Sequence, residues 1–167
     1  DSLLFYTETA EDFVDLNTWA TGEFNKDSQT FIMFPNVVGD GSISERNVVF
    51  TSIVDWVVTT VNNFRTSKNK LIIRFHPSEV TMFAGTEKFE DLLRSHVPDV
   101  DELPNVFIIE SKQNVDSYKL MRSVGDVILV YDGMVALEAT YLGLPVISCA
   151  LGRYSNANFC YEPRDKR

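Results

Sequence analysis

The stretch Asp126–Ile147, DVILVYDGMVALEATYLGLPVI, constrains the fold more than any other part of the chain. Val127–Val130 is an apolar, mostly β-branched run, the pattern of a strand buried on both faces. It breaks at the polar turn Tyr131-Asp132-Gly133. Met134–Leu142 then sets Val135, Ala139 and Leu142 at i, i+4 and i+7, one face of a helix. Gly143 stands where a left-handed cap is wanted, Pro145 stops the helix from continuing, and Val146–Ser148 begins another apolar strand. Strand, turn, helix and strand in so short a stretch make a βαβ unit, and chain handedness makes it a parallel crossover. The turn Tyr131–Met134 then lies at the carboxyl edge of the sheet, where doubly wound sheets bind ligands and where the next helix presents free N–H groups and its positive dipole end. Ordinary α/β scaffolding leaves the same trace, so the other strand ends have to separate scaffold from site.

A chain of 167 residues with 44% hydrophobic content is the size of one domain able to bury a core. Its net charge of −9 argues against nucleic acid or an anionic membrane held through a general basic surface, while a locally positive pocket for a small anion stays open. Two cysteines, Cys149 and Cys160, are too few for a disulfide scaffold, and Cys149 in an apolar strand reads as the buried thiol of a reducing compartment. No apolar run approaches the ~18–20 residues of a membrane span. The chain opens on Asp-Ser and closes on EPRDKR, which reads as a domain of a longer protein. The expected compartment is the cytoplasm, with any contact to the inner membrane face made through other parts of that protein.

Residues 1–29 read as an acidic, aromatic lead-in with a helix around Glu11–Trp19, and residues 30–167 as the folded domain. Strands are expected at 30–34, 71–75, 106–109, 127–130 and 146–149. Between the first two, Phe50–Phe64 has strand propensity, but Phe50, Ile53, Val54, Val57, Val61 and Phe64 recur at three and four, which predicts a helix with Asp55 and Trp56 off its inner face. Thr86–His96 and Asp116–Val124 are the next helices, the former with Phe89, Leu92 and Leu93 inward and His96 at the surface. The fold class that follows is α/β, a three-layer α/β/α Rossmann-like domain on a mostly parallel five-stranded sheet. The loop Val37–Asn47 holds GDGS but lacks the spacing, and the lysine, of a phosphate-binding loop.

Polar residues follow each strand: Pro35-Asn36, His76, Ser111, Asp132-Gly133 and Arg153-Tyr154. Pro77 holds His76 in extended geometry, so an imidazole closes the second strand with Arg74 two residues earlier on the same side. A lone histidine there is more often a cap. With Arg74 and Glu79 beside it, the functional reading draws level.

FPNVVGDGS, DWVVTTV, IRFHPSE, DSYKLMRSVGDVILVYDGMVALEATYLGLPVI and the RY pair, in that order, resemble the carboxyl-terminal domain of bacterial capsule and surface-polysaccharide glycosyltransferases of GT-B architecture, over about Phe31–Tyr161. The resemblance implies one half of a GT-B architecture that binds a nucleotide-sugar donor without a metal or other cofactor, while glycan acceptor and general base belong largely to a preceding amino-terminal domain. His76-Pro77 resembles the histidine–proline motif of nucleotide-sugar transferases, sialyl- and Kdo-transferases among them, which implies a catalytic His76 at the donor phosphate. Glu138 resembles the acidic residue that holds ribose or sugar hydroxyls. Donor contacts are implied for Asn36, Arg74, Pro77, Glu79, Asp132, Gly133, Met134, Glu138, Arg153 and Tyr154. Relatives commonly carry a pattern like Y-N-S-T-V-G-L-E-A in the turn, whereas Gly133 and Met134 bring no hydroxyl, and Asp132 repels a pyrophosphate unless it binds sugar hydroxyls or a cation. Glycerol-phosphate polymerases of teichoic-acid type and nucleotide-sugar 2-epimerases share this architecture. They stay open as alternatives, beside a non-catalytic module that binds nucleotide or glycan.

Overall fold

The computed structural model describes residues 27–38, 49–83, 85, 87–152 and 155–165. The helix expected around Glu11–Trp19, the GDGS loop, Arg153 and Tyr154 lie outside the described residues. In chain order the elements are β1 (Thr30–Phe34), α1 (Ile53–Phe64), β2 (Lys70–Arg74), α2 (Phe89–His96), β3 (Val106–Ile109), α3 (Ser117–Val124), β4 (Val127–Val130), α4 (Val135–Tyr141) and β5 (Val146–Ser148). The strands form one sheet in the order β3-β2-β1-β4-β5, and every pairing is parallel. This is the Rossmann-like α/β fold the sequence predicts, with its strand order reversing between β1 and β4.

The period of two divides each strand between two cores. Met33, Leu71, Ile73 and Phe75 go to the side covered by α1 and α2, while Ile32, Phe34, Ile72 and Val130 go to the side covered by α3 and α4. On α1 the buried stripe is Ile53, Trp56, Val57, Val61 and Phe64. Trp56, expected off that face, is 1% exposed and packs its ring against Tyr131 at 5.3 Å. The valines of this segment match the helical period at several phases; the large indole selects the phase, because its burial outweighs that of Val54.

Local chemistry sets the element ends. Ser52 Oγ accepts the Asp55 N–H at 3.0 Å and the Asp55 carboxylate accepts the Thr51 N–H at 2.8 Å, so α1 starts at Ile53 rather than Phe50. Asp116 caps α3 by accepting from the N–H groups of Tyr118 and Lys119. At the end of α4, Leu144 N–H reaches Ala139 O at 3.0 Å and Gly143 N–H reaches Thr140 O at 2.9 Å, the paired bonds of a Schellman cap with Gly143 at φ 77°. Between α3 and β4 the backbone of Gly125 passes so close that a Cβ there would lie 2.8 Å from Met121 O and 2.9 Å from the Ile32 side chain. Asp126 then locks β4 to β1, its carboxylate taking the Thr30 N–H at 2.7 Å and its N–H giving to Thr30 O at 2.9 Å. On the outer side of β5, Tyr161 bonds to Ser148 and Val146 through its backbone and covers part of that edge.

Candidate functional site

Register brings the expected residues together at the carboxyl edge. Ile32 of β1 lies beside Ile72 of β2 and Ile128 of β4. Four residues further along each chain, two beyond the ends of β1, β2 and β4, come Asn36, His76 and Asp132. Asn36 and Asp132 flank the point where the strand order reverses, and they touch: Asn36 Nδ2 donates to Asp132 Oδ1 at 2.9 Å. Asp132 is buried. Only the NH2 end of an amide can face a carboxylate this way, so the bond fixes which end of Asn36 is oxygen. That oxygen, Oδ1, is buried with no hydrogen-bond partner among the described residues. Beside it lies Gly133, where a Cβ would meet Asn36 Oδ1 at 3.8 Å.

His76 keeps the extended backbone that Pro77 requires, with φ −75° and ψ 129°. Its Nδ1 accepts the Ser78 N–H at 3.1 Å and so caps the short turn Pro77–Glu79. A neutral ring held in this way carries its proton on Nε2. The residue is exposed, yet protein packed about the ring lowers its pKa below the ordinary histidine value, and the Arg74 charge pushes the same way. His76 is therefore a neutral Nε2–H donor at physiological pH. Arg74 is buried beneath it, and its guanidinium donates to the Phe75 carbonyl. The capping bond engages Nδ1 and leaves the ring's proton on the other nitrogen, Nε2.

Glu79 turns inward. It is 3% exposed, and its Oε2 accepts the Phe89 N–H at 2.9 Å at the start of α2. Burial pushes its carboxyl pKa up to about 7, with the neighbouring Glu90 adding to the rise and backbone hydrogen bonds from Phe89 and Val38 opposing it. Glu90 is also buried, and its Oε1 accepts from Ser111 Oγ at 2.6 Å. Ser111 at the end of β3 is thus held within this cluster. Sequence reasoning missed Glu90, whose signal was a carboxylate three residues before Leu93 on the inward side of α2.

Glu138 is half-buried in the first turn of α4, near enough to Tyr118 of α3 that its charge, after burial, helps to raise the phenol's pKa. Met134 ahead of α4 is 58% exposed. Among the described residues no group of three or more His, Cys, Asp or Glu is placed to hold a metal ion, and no helix is long and apolar enough to cross a membrane.

No protein-family model matches the sequence, and no curated protein does. Solved structures do match. KpsC from Thermosulfurimonas dismutans, a beta Kdo 2,7 transferase, superposes with a TM-score of 0.57 at 13% identity over 85% of this chain. This chain shares its fold with part of that structure. A second KpsC structure from the same organism, a beta Kdo 2,4 transferase, gives a TM-score of 0.53 at 13% identity over 88% of this chain. This chain spans 41% and 40% of the length of those two structures. At such identity the likeness is one of fold, and it agrees with the domain expected as one half of a GT-B architecture.

Proposed function

We propose that this domain is the nucleotide-sugar-binding half of a glycosyltransferase of polysaccharide or glycan synthesis, and that another domain supplies the acceptor site and general base. The observation that carries this reading is the row His76, Asn36 and Asp132 at the carboxyl edge, across the point where the strand order reverses. The shared fold with Kdo transferases and the resemblance at His76-Pro77 support the same reaction class.

In this reading the donor's phosphate lies against the Nε2–H of His76, with the Arg74 charge behind it. When the bond between the anomeric carbon and the phosphate oxygen breaks, the electron pair stays on the phosphate. A neutral imidazole N–H already in place strengthens its hydrogen bond as that charge develops, and it needs no solvent reorganisation to do so. The acceptor hydroxyl forms the new bond to the anomeric carbon and gives its proton to a base in the other domain. Glu138, a two-oxygen acceptor, takes hydroxyls of the ribose or sugar.

Calorimetric titration of the chain with UDP, CDP, CMP, GDP and dTDP tests the reading. One nucleotide should bind, and His76→Ala should weaken it tenfold or more, about 1.4 kcal/mol. Binding of none of the five would refute a donor site here.

A further inference from the structure

Two buried carboxyl groups stand behind the His76 turn. Glu79 ends that turn and is 3% exposed, and Glu90 in the first turn of α2 is 2% exposed. Glu79 accepts the Phe89 N–H at 2.9 Å, and the Val38 N–H also bonds to it. Glu90 Oε1 accepts from both the Oγ and the N–H of Ser111, at 2.6 and 3.3 Å. The segments leaving β1, β2 and β3 and the start of α2 thus meet on these two side chains. Glu90 Oε2 is buried with no hydrogen-bond partner among the described residues, although the Glu79 side chain lies within hydrogen-bonding reach of Glu90. Two ionised carboxylates cannot bond to each other, because neither carries a hydrogen. One proton makes a donor of one and leaves the other an acceptor. The free N–H groups at the start of α2 favour one negative charge beside them, while a second, desolvated and adjacent, is disfavoured.

We propose that Glu79 and Glu90 are positioning residues for His76: they hold one proton between them, and the bond it makes keeps the Pro77–Glu79 turn in the shape that fixes the imidazole with its Nε2–H at the donor phosphate. The inference rests on the donor-site reading for what His76 meets, and adds what holds His76 in place. Glu79 N–H donates to the His76 carbonyl at 3.1 Å and Ser78 N–H to the ring's Nδ1, so a displacement of Glu79 reaches the ring through one short turn. Loss of the proton leaves two like charges buried side by side. Glu90 is held on α2 and by two bonds to Ser111, so Glu79 is the member that moves, and the turn moves with it. Among the described residues, Glu90 is the charged group acting on Glu79, while Lys112 beyond β3 feels Glu90 and Arg74 acts on His76. Lys112 is exposed and pairs with Glu110 at 2.9 Å, so it does not offset a second buried charge.

Glu79→Gln and Glu90→Gln each put an NH2 donor where the proton stood, so both variants should keep the turn in place at every pH. The ¹⁵N shift of His76 Nδ1 reads its bond to Ser78 and is followed on the full chain from pH 6.5 to 8.5. The chain has two histidines, and His96→Gln assigns the signal. The wild type should show an inflection near pH 7, where Glu79 titrates, above the ring's own lowered transition, and both variants should be flat there. The second arm is calorimetry with UDP-glucose, GDP-mannose, dTDP-glucose and CMP-sialic acid, whose phosphates do not titrate in this range. The protonated pair favours binding, so affinity for the one that binds should fall fivefold or more as pH rises through about 7 in the wild type, and stay within twofold in both variants. A flat Nδ1 profile in the wild type, an inflection that survives both substitutions, or an affinity level with pH while the Nδ1 shift moves would each overturn the inference and leave the donor site standing. Binding of none of the four would refute the donor-site reading, and the Nδ1 profile would then decide by itself whether the pair holds His76.

Discussion

Replacing Glu79 with glutamine tests the electrostatics of the loop that carries His76. Glu79 joins three segments at the carboxyl edge: the turn after β2, the start of α2 through the Phe89 N–H, and the exit of β1 through the Val38 backbone. Burial, and then the adjacent Glu90 carboxyl, raise its pKa from 4.5 to about 7. The folded chain thus holds a proton that the unfolded chain releases near the ordinary value, so between those two pH values the folded state binds more protons. Stability must then fall as pH rises from about 4.5 through about 7, and this contribution is level above and below that window. The rise in pKa corresponds to about 3 kcal/mol between the two limits, an upper figure for a carboxyl whose rise also draws on a neighbouring acidic group. Glutamine keeps an oxygen for the Phe89 N–H, offers its NH2 to Glu90, and does not ionise. Urea unfolding of both proteins at pH 5, 6, 7 and 8 should find them alike at pH 5 and the glutamine form more stable by about 1–3 kcal/mol at pH 8. The difference between the proteins isolates this site from other titrating groups, His76 included. A glutamine form less stable than wild type at pH 8, or a difference that does not change with pH, would refute the argument.

Two further predictions concern the scaffold. Gly125→Ala should lower stability by about 1–3 kcal/mol in urea unfolding, because the methyl meets backbone at Met121 O, which cannot swing aside. Cys149, whose buried thiol is pushed up to about 12, should resist a soluble disulfide reagent at pH 8 and react only as the chain unfolds in added urea; rapid labelling in the native protein would contradict its burial against Trp56.

Most of the fold was legible because strong local patterns agree with the tertiary structure. Three strands, β1, β3 and β4, fall on the expected residues, and the cap at Gly143 forms as the glycine and following proline imply. Where expectation slipped, the deciding contacts come from residues distant in sequence or from side-chain caps. Trp56 looked outward because valines on either side of it satisfied the helical period, and only the opposing Tyr131 shows which phase is buried. Thr86 looked like the first residue of a helix, yet α2 begins at Phe89, where Glu79, ten residues earlier, accepts the free N–H. A carboxylate in that place reads from sequence as a ligand for substrate, since periodicity carries no information on which direction a residue beyond a strand end will turn.

The candidate site shows the same division between local and lateral information. Each of Asn36, His76 and Asp132 could be found separately, as a polar residue following an apolar strand. Their adjacency could not, because strands consecutive in sequence need not be neighbours, and β4 joins β1 only through a crossover that passes over the sheet. Once that order is known, three strand ends become a single row with a graded character. His76, with Arg74 beneath it, provides a hydrogen-bond donor and positive charge at one end, and Asn36 and Asp132 provide acceptors at the other.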